Sequence, residues 1–480
     1  MAESPRTRDL YGQLDDVLDR MTLSGAHYKI LVLVGVGHLF NIFEQLNVAY
    51  AGPILIQEWG LSQAANGALT TATYLGIAVG GTIAGILSDR FGRRQVFMAN
   101  FLLFTLGALV AAFAPNYAIL FLARILVGLG LGGEITLGFT VMAEMTPTQR
   151  RGAMVAALNV VASVGLLAAS GVAALMFGPL LEFFGGSSYA WRWYFGVMVL
   201  PAFVFLWLRR YLPETPRYLL RRGRVAESNR ILTLLSGGSL KGRADTEVRE
   251  FIQGPEGVPA RENEVKTRVR ELFAGEVRRR TIIAALLWIG MAGGSVVYFI
   301  SLPTILGQRG VSVDTSLLLA TISNVAGVFG ALAGVWAAHR FARRAVYIVT
   351  IGTMLAAALA MASVPNVALT LTFAIVISFM LQIMVGNHLA YMPELFPTRV
   401  RATGAGLTAS VGTAASALAP LAGGALADSF GVMGPVLLLA GLFVVMIVTA
   451  LFAPETAGKH LTEITAEESA HPGRASTVAQ

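Results

Sequence analysis

Runs of about twenty apolar residues follow one another along almost the whole 480-residue chain, each long enough to cross a hydrocarbon layer of about 30 Å as a helix. Twelve are read, at 28–50, 65–87, 95–114, 118–142, 152–177, 191–211, 281–305, 315–338, 345–363, 367–391, 402–426 and 433–453. A backbone in lipid must satisfy its own hydrogen bonds, so such runs fold as helices. The expectation is an all-α membrane protein of twelve transmembrane helices, and a charged fraction of only 13% agrees with it.

One long polar segment interrupts the series. The chain therefore divides into a tail (1–27), a six-helix half (28–211), a connector (212–280), a second six-helix half (281–453) and a tail (454–480). The first 27 residues carry Asp and Glu, and the run after them is too long for a signal-peptide core, so no cleaved leader is expected. With a cytoplasmic N-terminus, only Arg124, Arg192 and Arg309 of the 36 Lys and Arg fall outside cytoplasmic segments, leaving 36 − 3 = 33 inside. Both termini are then cytoplasmic. The net charge of +8 reports topology rather than nucleic-acid binding. In the connector, "AESNRILTLL" and "KTRVRELF" space apolar residues as short amphipathic helices do. The chain has no cysteine, and no nucleophile, phosphate-loop or metal-ligand motif, so neither an enzyme nor a cofactor or metal site is expected.

The two halves repeat each other. A shift of 250 places Asp89-Arg90-Phe91-Gly92-Arg93-Arg94 on His339-Arg340-Phe341-Ala342-Arg343-Arg344, and Glu144, Pro147, Thr148 and Arg151 on Glu394, Pro397, Thr398 and Arg401. "LPETPRYL" and "APETAG" follow the last span of each half. Two like-oriented six-helix repeats are one architecture of secondary transporters, with the solute bound near the midplane.

These motifs carry a resemblance. With "GILSDRFGRR", "RILVGLGLGG", "AEMTPTQRRG", "PETPRYL", "PELFPTRVRATG" and "PETAGK" in this order, the chain resembles a major facilitator superfamily transporter. Within that superfamily it is similar to the sugar-porter and synaptic-vesicle-glycoprotein-like metabolite branch. The resemblance implies alternating access, with charged clusters latching the cytoplasmic side. Expected gate residues are Asp89, with Arg93, Arg94, Arg151 and Arg217 reaching Glu144 and Glu214, and Arg343, Arg344 and Arg401 reaching Glu394 and Glu455. Asp89 is expected to face the N-terminus of a neighbouring helix. His339 and Ala342 break the pattern of the first half, so the second latch is expected to be weaker or to respond to protonation.

Ionisable residues inside spans are costly and mostly functional. Here they include Glu44 and His38 in the first span, Arg124 and Glu134 in the fourth and His388 in the tenth. Glu44 and Arg124 each lie six residues from the outer end of their apolar run, about 9 Å deep, which makes an ion pair feasible. The resemblance implies that an acidic residue in span one and the arginine opening "RxxxGxGxG" form a proton-coupling pair, and Glu44 and Arg124 occupy those positions. Glu134, about 24 Å from the same end of its span, is read as a second proton or solute group or as an interhelical hydrogen-bonding carboxylate. His388 is read as a hydrated structural residue near the cytoplasmic end or as a relay. The glycines of "VGLGLGG" and of the second span are read as close-packing positions.

Asn41, Tyr74, Tyr298, Asn324 and Gln382 are candidate cavity residues, able to offer hydrogen bonds to a solute. Span seven lacks the glutamines of sugar porters, and His388-Leu389 stand where a Pro-Trp pair is usual, so hexose recognition is not expected. The reading is a monomeric, multi-pass transporter of a bacterial cytoplasmic (inner) membrane. It would carry a small organic metabolite by proton symport, with proton-driven export or non-transporting nutrient sensing as alternatives.

Overall fold

The computed structural model describes residues 10–200, 211–240, 247–258, 269–397 and 400–456; within them the side chains at 148, 151, 152, 155, 156, 338, 339 and 402 are left undescribed. All regular structure in these segments is helical. The long helices of the first half are α2 (Gly25–Trp59), α3 (Gln63–Phe91), α4 (Arg93–Ala112), α5 (Tyr117–Met145) and α6 (Thr148–Phe177), preceded by a short α1 (Leu10–Arg20). After α7 (Ser187–Gly196) come α8 (Pro216–Arg221) and α9 (Val225–Ser236). The second half holds α10 (Gly275–Gln308), α11 (Val313–Arg340), α12 (Arg343–Ser363), α13 (Val367–Glu394), α14 (Arg401–Ser416), α15 (Ala419–Phe430) and α16 (Met433–Phe452).

Eleven stretches of the described residues are helical, long and apolar enough to span. The expected sixth span begins in α7 and a 3₁₀ turn at Val197–Val199, and its residues 201–210 lie outside the described residues. The expected eleventh span is broken into α14 and α15 at Ala417–Leu418. Pro420, in the first turn of α15, lacks the N–H that would continue the ladder. The first span outruns its apolar run: α2 has 35 residues, about 52 Å at the usual rise, and carries Pro53 inside it.

Two compact units emerge, one of Met1–Leu61 with Ala68–Asn263 and the other of Ser62–Gly67 with Glu264–Gln480. In the first, α2 packs on α6 and α4 on α5; in the second, the repeat-related α10 packs on α14 and α12 on α13. Helices α3 and α5 approach through glycine. A Cβ at Gly80 would stand 2.1 Å from the carbonyl oxygen of Leu129, and one at Gly132 2.0 Å from that of Ile77.

The connector is only partly as expected. "AESNRILTLL" falls in α9, but Val269–Phe273 of the second stretch is a 3₁₀ turn and residues 266–268 lie outside the described residues. The N-terminal tail contains an unexpected helix, whose Leu10, Leu14 and Leu18 share one core with Leu220, Leu232, Leu235 and Ile252. Their spacing of four marks one helix face. Gln13 Oε1 accepts from the Gln253 N–H at 2.9 Å, so tail and connector fold on each other.

Two arginines that the charge rule left as exceptions have structural employment. Arg192 donates to the Ala114 carbonyl at 2.6 Å, just past the end of α4, and Arg309 to the Met361 carbonyl at 2.5 Å in the last turn of α12. A cation at a helix C-terminus satisfies free carbonyls and meets the negative end of the dipole.

Candidate functional site

Along α2, Asn41, Glu44 and Gln45 recur at spacings of three and four, which puts them on one face; Arg124, Leu131 and Glu134 share a face of α5 in the same way. The two helices are in contact. Arg124 Nη1 meets Glu44 Oε1 at 2.5 Å, and both side chains are 0% exposed. The guanidinium is also held by the Glu44 carbonyl oxygen at 3.0 Å and Thr73 Oγ1 at 3.0 Å, while Asn47 Nδ2 donates to Glu44 Oε2 at 2.7 Å. Arg124 lies over the Phe195 ring, 5.7 Å from its centroid. The pair is thus closed off from water and its geometry is fixed from three helices.

A second polar string starts one residue along α2. Gln45 Nε2 donates to Asn41 Oδ1 at 2.5 Å, and Asn41 Nδ2 donates to Glu134 Oε2 at 2.6 Å and to the Leu131 carbonyl at 3.0 Å. Glu134 is fully buried, and its Oε1 finds no hydrogen-bond partner among the described residues. Asn41, expected to offer itself to a solute, is instead committed to Glu134. Tyr298 is likewise committed: its hydroxyl donates to the Ala374 carbonyl at 2.8 Å and lies 2.9 Å from Ser323 Oγ. Asn324 and Gln382 are buried within the second unit, and Tyr74 is half-buried in the first.

Of the expected gate residues, Asp89, Arg93, Arg94, Glu144 and Glu214 gather in the first unit, and Arg343, Arg344, Glu394 and Glu455 in the second. In the first, Arg93 meets Glu144 at 3.2 Å and Asp89 at 3.1 Å, and Asp89 also meets Arg221 at 2.9 Å. Glu214 caps α4, accepting from the Arg93 N–H at 3.0 Å, the Arg94 N–H at 3.3 Å and its neighbour Thr215 at 3.1 Å. Burial pushes the Glu214 carboxyl above its usual value, against those hydrogen bonds and the Arg93 charge. In the second unit Arg343 meets Glu394 at 2.9 Å, and Glu455 caps α12 through the N–H groups of Arg343 at 2.9 Å and Arg344 at 3.1 Å. Thr456 Oγ1 closes the cluster on Glu394 at 2.6 Å.

The expectations for Arg217 and Asp89 need correction here. Arg217 pairs with Asp15 of α1 at 3.6 Å, because α1 occupies the space beside α8. Asp89 takes arginine partners instead of a helix N-terminus; within the two clusters the carboxylates at helix N-termini are Glu214 and Glu455, which accept from a pair of free amides each. The Arg401 guanidinium reaches the Phe396 carbonyl at 3.4 Å. The side chains of Arg151 and His339 lie outside the described residues, as does Thr398.

Residues 31–467 match the family described as sugar (and other) transporters. The chain belongs to this family. It is 30% identical over 442 residues to the inner membrane metabolite transport protein YgcS of Escherichia coli, covering 92% of this chain and 94% of that one. It is 28% identical over 404 residues to the niacin transporter NiaP of Acinetobacter baylyi, covering 84% and 88%. Among solved structures, the partially occluded inward-open xylose transporter XylE of E. coli superposes with a TM-score of 0.69 at 20% identity, covering 91% of this chain and all of that one. The fold is therefore the twelve-helix major facilitator fold, the molecule is a multi-pass membrane transporter, and its activity is solute transport rather than catalysis.

For a transporter of this family, three groups escaped the sequence reading. Asn47 and Thr73 complete the Glu44–Arg124 pair; Asn47 lies three residues from Glu44, a spacing that marks a shared face, but nothing in the sequence couples Thr73 to Arg124. Tyr347, whose hydroxyl lies 2.5 Å from His388 Nδ1, gives that histidine a dry, fixed setting rather than a hydrated one; both residues are 0% exposed.

Proposed function

We propose that this transporter is a proton symporter of a small organic metabolite, working by alternating access, with Glu44 exchanging the proton and Arg124 as its switching partner. The observation that carries the reading is the fully buried Glu44–Arg124 pair. Ionised, the pair is charge-balanced. A proton on Glu44 leaves Arg124 as a buried cation whose acceptors among the described residues, the Glu44 main-chain carbonyl, Thr73 and the neutral carboxyl, carry no charge. A lone buried charge costs several kcal/mol, so protonation disfavours this packing and biases the protein toward another. Glu134 serves as a second proton-exchanging group, joined to the helix of Glu44 through Gln45 and Asn41. The Arg93–Glu144 and Arg343–Glu394 clusters then act as cytoplasmic latches, on the side where the Lys and Arg of the loops concentrate.

The test is uptake by the purified full-length protein in liposomes, with pooled sugars, organic acids and organic cations offered against an imposed pH gradient. The pool that the parent concentrates identifies the cargo. Glu44→Gln is expected to lower pH-driven accumulation by about 5- to 150-fold, the range of ordinary coupling free energies, while leaving solute exchange at equal pH in place. Accumulation by Glu44→Gln equal to the parent's would remove the proposal.

A further inference from the structure

Helix α10 opens on "GEVRRRT", and from there Glu276, Arg279, Arg280 and Ile283 stand three, four and seven residues apart from the first, which puts them on one face. That face lines a cavity of about 290 Å³, closed on its other sides by Arg344 in the first turn of α12 and by residues 451–454 at the end of α16. Helix α16 packs on both α10 and α12, so the cavity belongs to the second unit alone. Its lining holds three arginines against one glutamate, an excess of 3 − 1 = 2 positive charges.

The innermost arginine is short of partners. Arg280 is 8% exposed, yet among the described residues its guanidinium reaches only the Leu395 carbonyl, to which Nη1 donates at 3.4 Å, and its buried Nε has no partner. A guanidinium carries five N–H donors and keeps its charge when buried, so this one calls for an anion. The Arg344 side chain has no hydrogen-bond or ion-pair partner among the described residues; only its main-chain N–H is used, by Glu455. Arg279 stands at the rim, exposed, held by Glu276 at 3.5 Å and by the Phe452 carbonyl at 3.0 Å. The repeat shows that this arrangement is peculiar to the second half. A shift of 250 places Arg279 and Arg280 on Lys29 and Ile30, and Ile30 is buried in the hydrophobic core that α1 joins. Where the first unit packs an aliphatic side chain, the second buries a cation beside a cavity.

We propose that Arg279, Arg280 and Arg344 bind a phosphate group, supplied by an anionic phospholipid of the adjoining leaflet or by a phosphorylated solute. The guanidinium fork matches phosphate oxygens in pairs, and three forks around one cavity suit a tetrahedral group with several oxygens better than a planar carboxylate with two. The two sources use the cavity wall differently. Leu451 and Phe452 are 45% and 63% exposed and carry the apolar surface of α16 up to the arginines. A lipid lays an acyl chain on them while its headgroup enters the basic pocket; a free phosphate touches the arginines alone. Either one ties together α10, α12 and α16 at the end of the unit where Arg343 meets Glu394. The site is independent of Glu44 and of the solute that is carried.

The experiment uses the full-length protein, stripped of lipid in a neutral detergent, with inorganic phosphate and phosphatidylglycerol as separate probes. Binding is followed by thermal unfolding and, for the lipid, by native mass spectrometry; potassium chloride at equal ionic strength and phosphatidylcholine are the controls. At least one probe is expected to raise the unfolding temperature where its control does not. Arg280→Gln and Arg344→Gln should each weaken that binding about tenfold or more, the worth of a hydrogen bond to a charged group. Arg280→Lys keeps the charge without the fork and should recover part of the loss. Arg230→Gln, exposed on α9 of the other unit, should bind as the parent does. Phe452→Gln tells the sources apart: it weakens binding of the lipid and leaves that of inorganic phosphate as it was. Should Arg280→Gln fail to unfold cooperatively, Arg344→Gln, half-buried and without a side-chain partner, carries the test. The inference is overturned if neither probe binds, if the controls stabilise the protein equally, if the folded arginine variants of the cavity bind as the parent does, or if Arg230→Gln loses as much binding as they do.

Discussion

At the scale of single residues, the Glu44–Arg124 pair is a balance between two large terms. Each ion loses its hydration, and the loss is offset only because each side-chain nitrogen of Arg124 and each carboxylate oxygen of Glu44 finds a partner: Asn47 on Glu44, Thr73 and a main-chain carbonyl on Arg124, and the two ions on each other. Arg124→Leu is therefore expected to destabilise the fold by about 3–5 kcal/mol, because it strands the carboxylate. The double variant Glu44→Leu with Arg124→Leu should cost much less than either single change. Chemical unfolding in mild detergent would check this; a double variant worse than both singles would mean that the pair contributes net stability. The pair was legible in the sequence through equal depth below the edge of the apolar runs. It was not legible through the helix ends, since Glu44 stands 59 − 44 = 15 residues from the end of α2 and Arg124 only 124 − 117 = 7 from the start of α5. The edge of the apolar run follows the lipid, whereas a helix can continue past it.

At the scale of elements, the repeated "PET" segments show why charged motifs are easy to find and hard to interpret. Their glutamates look like salt-bridge partners for the nearby arginines, and Glu214 and Glu455 also accept from the first main-chain N–H groups of α4 and α12. Main-chain donors leave no mark in a sequence, so the role needed coordinates. Helix α1 was missed for another reason: its leucines recur every four residues, but the stretch is too short and too polar to stand out beside the spans. The caps make a prediction. Glu455→Ala leaves the Arg343 and Arg344 amides without their acceptor and should cost about 1 kcal/mol, the usual worth of an N-cap, while Glu455→Gln retains one oxygen and should cost less. Thermal shifts of the two variants test this, and equal losses would assign the effect to charge alone.

At the scale of the whole molecule, the repeat constrains function more than any single motif does. Helix pairs, capping glutamates and arginine–glutamate contacts all recur near the same offset, so changes peculiar to one half mark where specialisation has occurred. The ion pair at Glu44 and Arg124 is one such change, since Gly294 and Ala374 stand at the counterpart positions. The side on which the proposed latches act depends on the chain being oriented as its arginines imply, and the absence of cysteine makes that directly measurable. Ser188, exposed at the start of α7, should lie outside the cell and Ser236, exposed at the end of α9, inside it. Ser188→Cys is expected to react with a membrane-impermeant maleimide in intact cells. Ser236→Cys should react only after permeabilisation or in inside-out vesicles. The reverse pattern would invert the topology and place both arginine–glutamate clusters on the outer face, where they would latch the opposite gate.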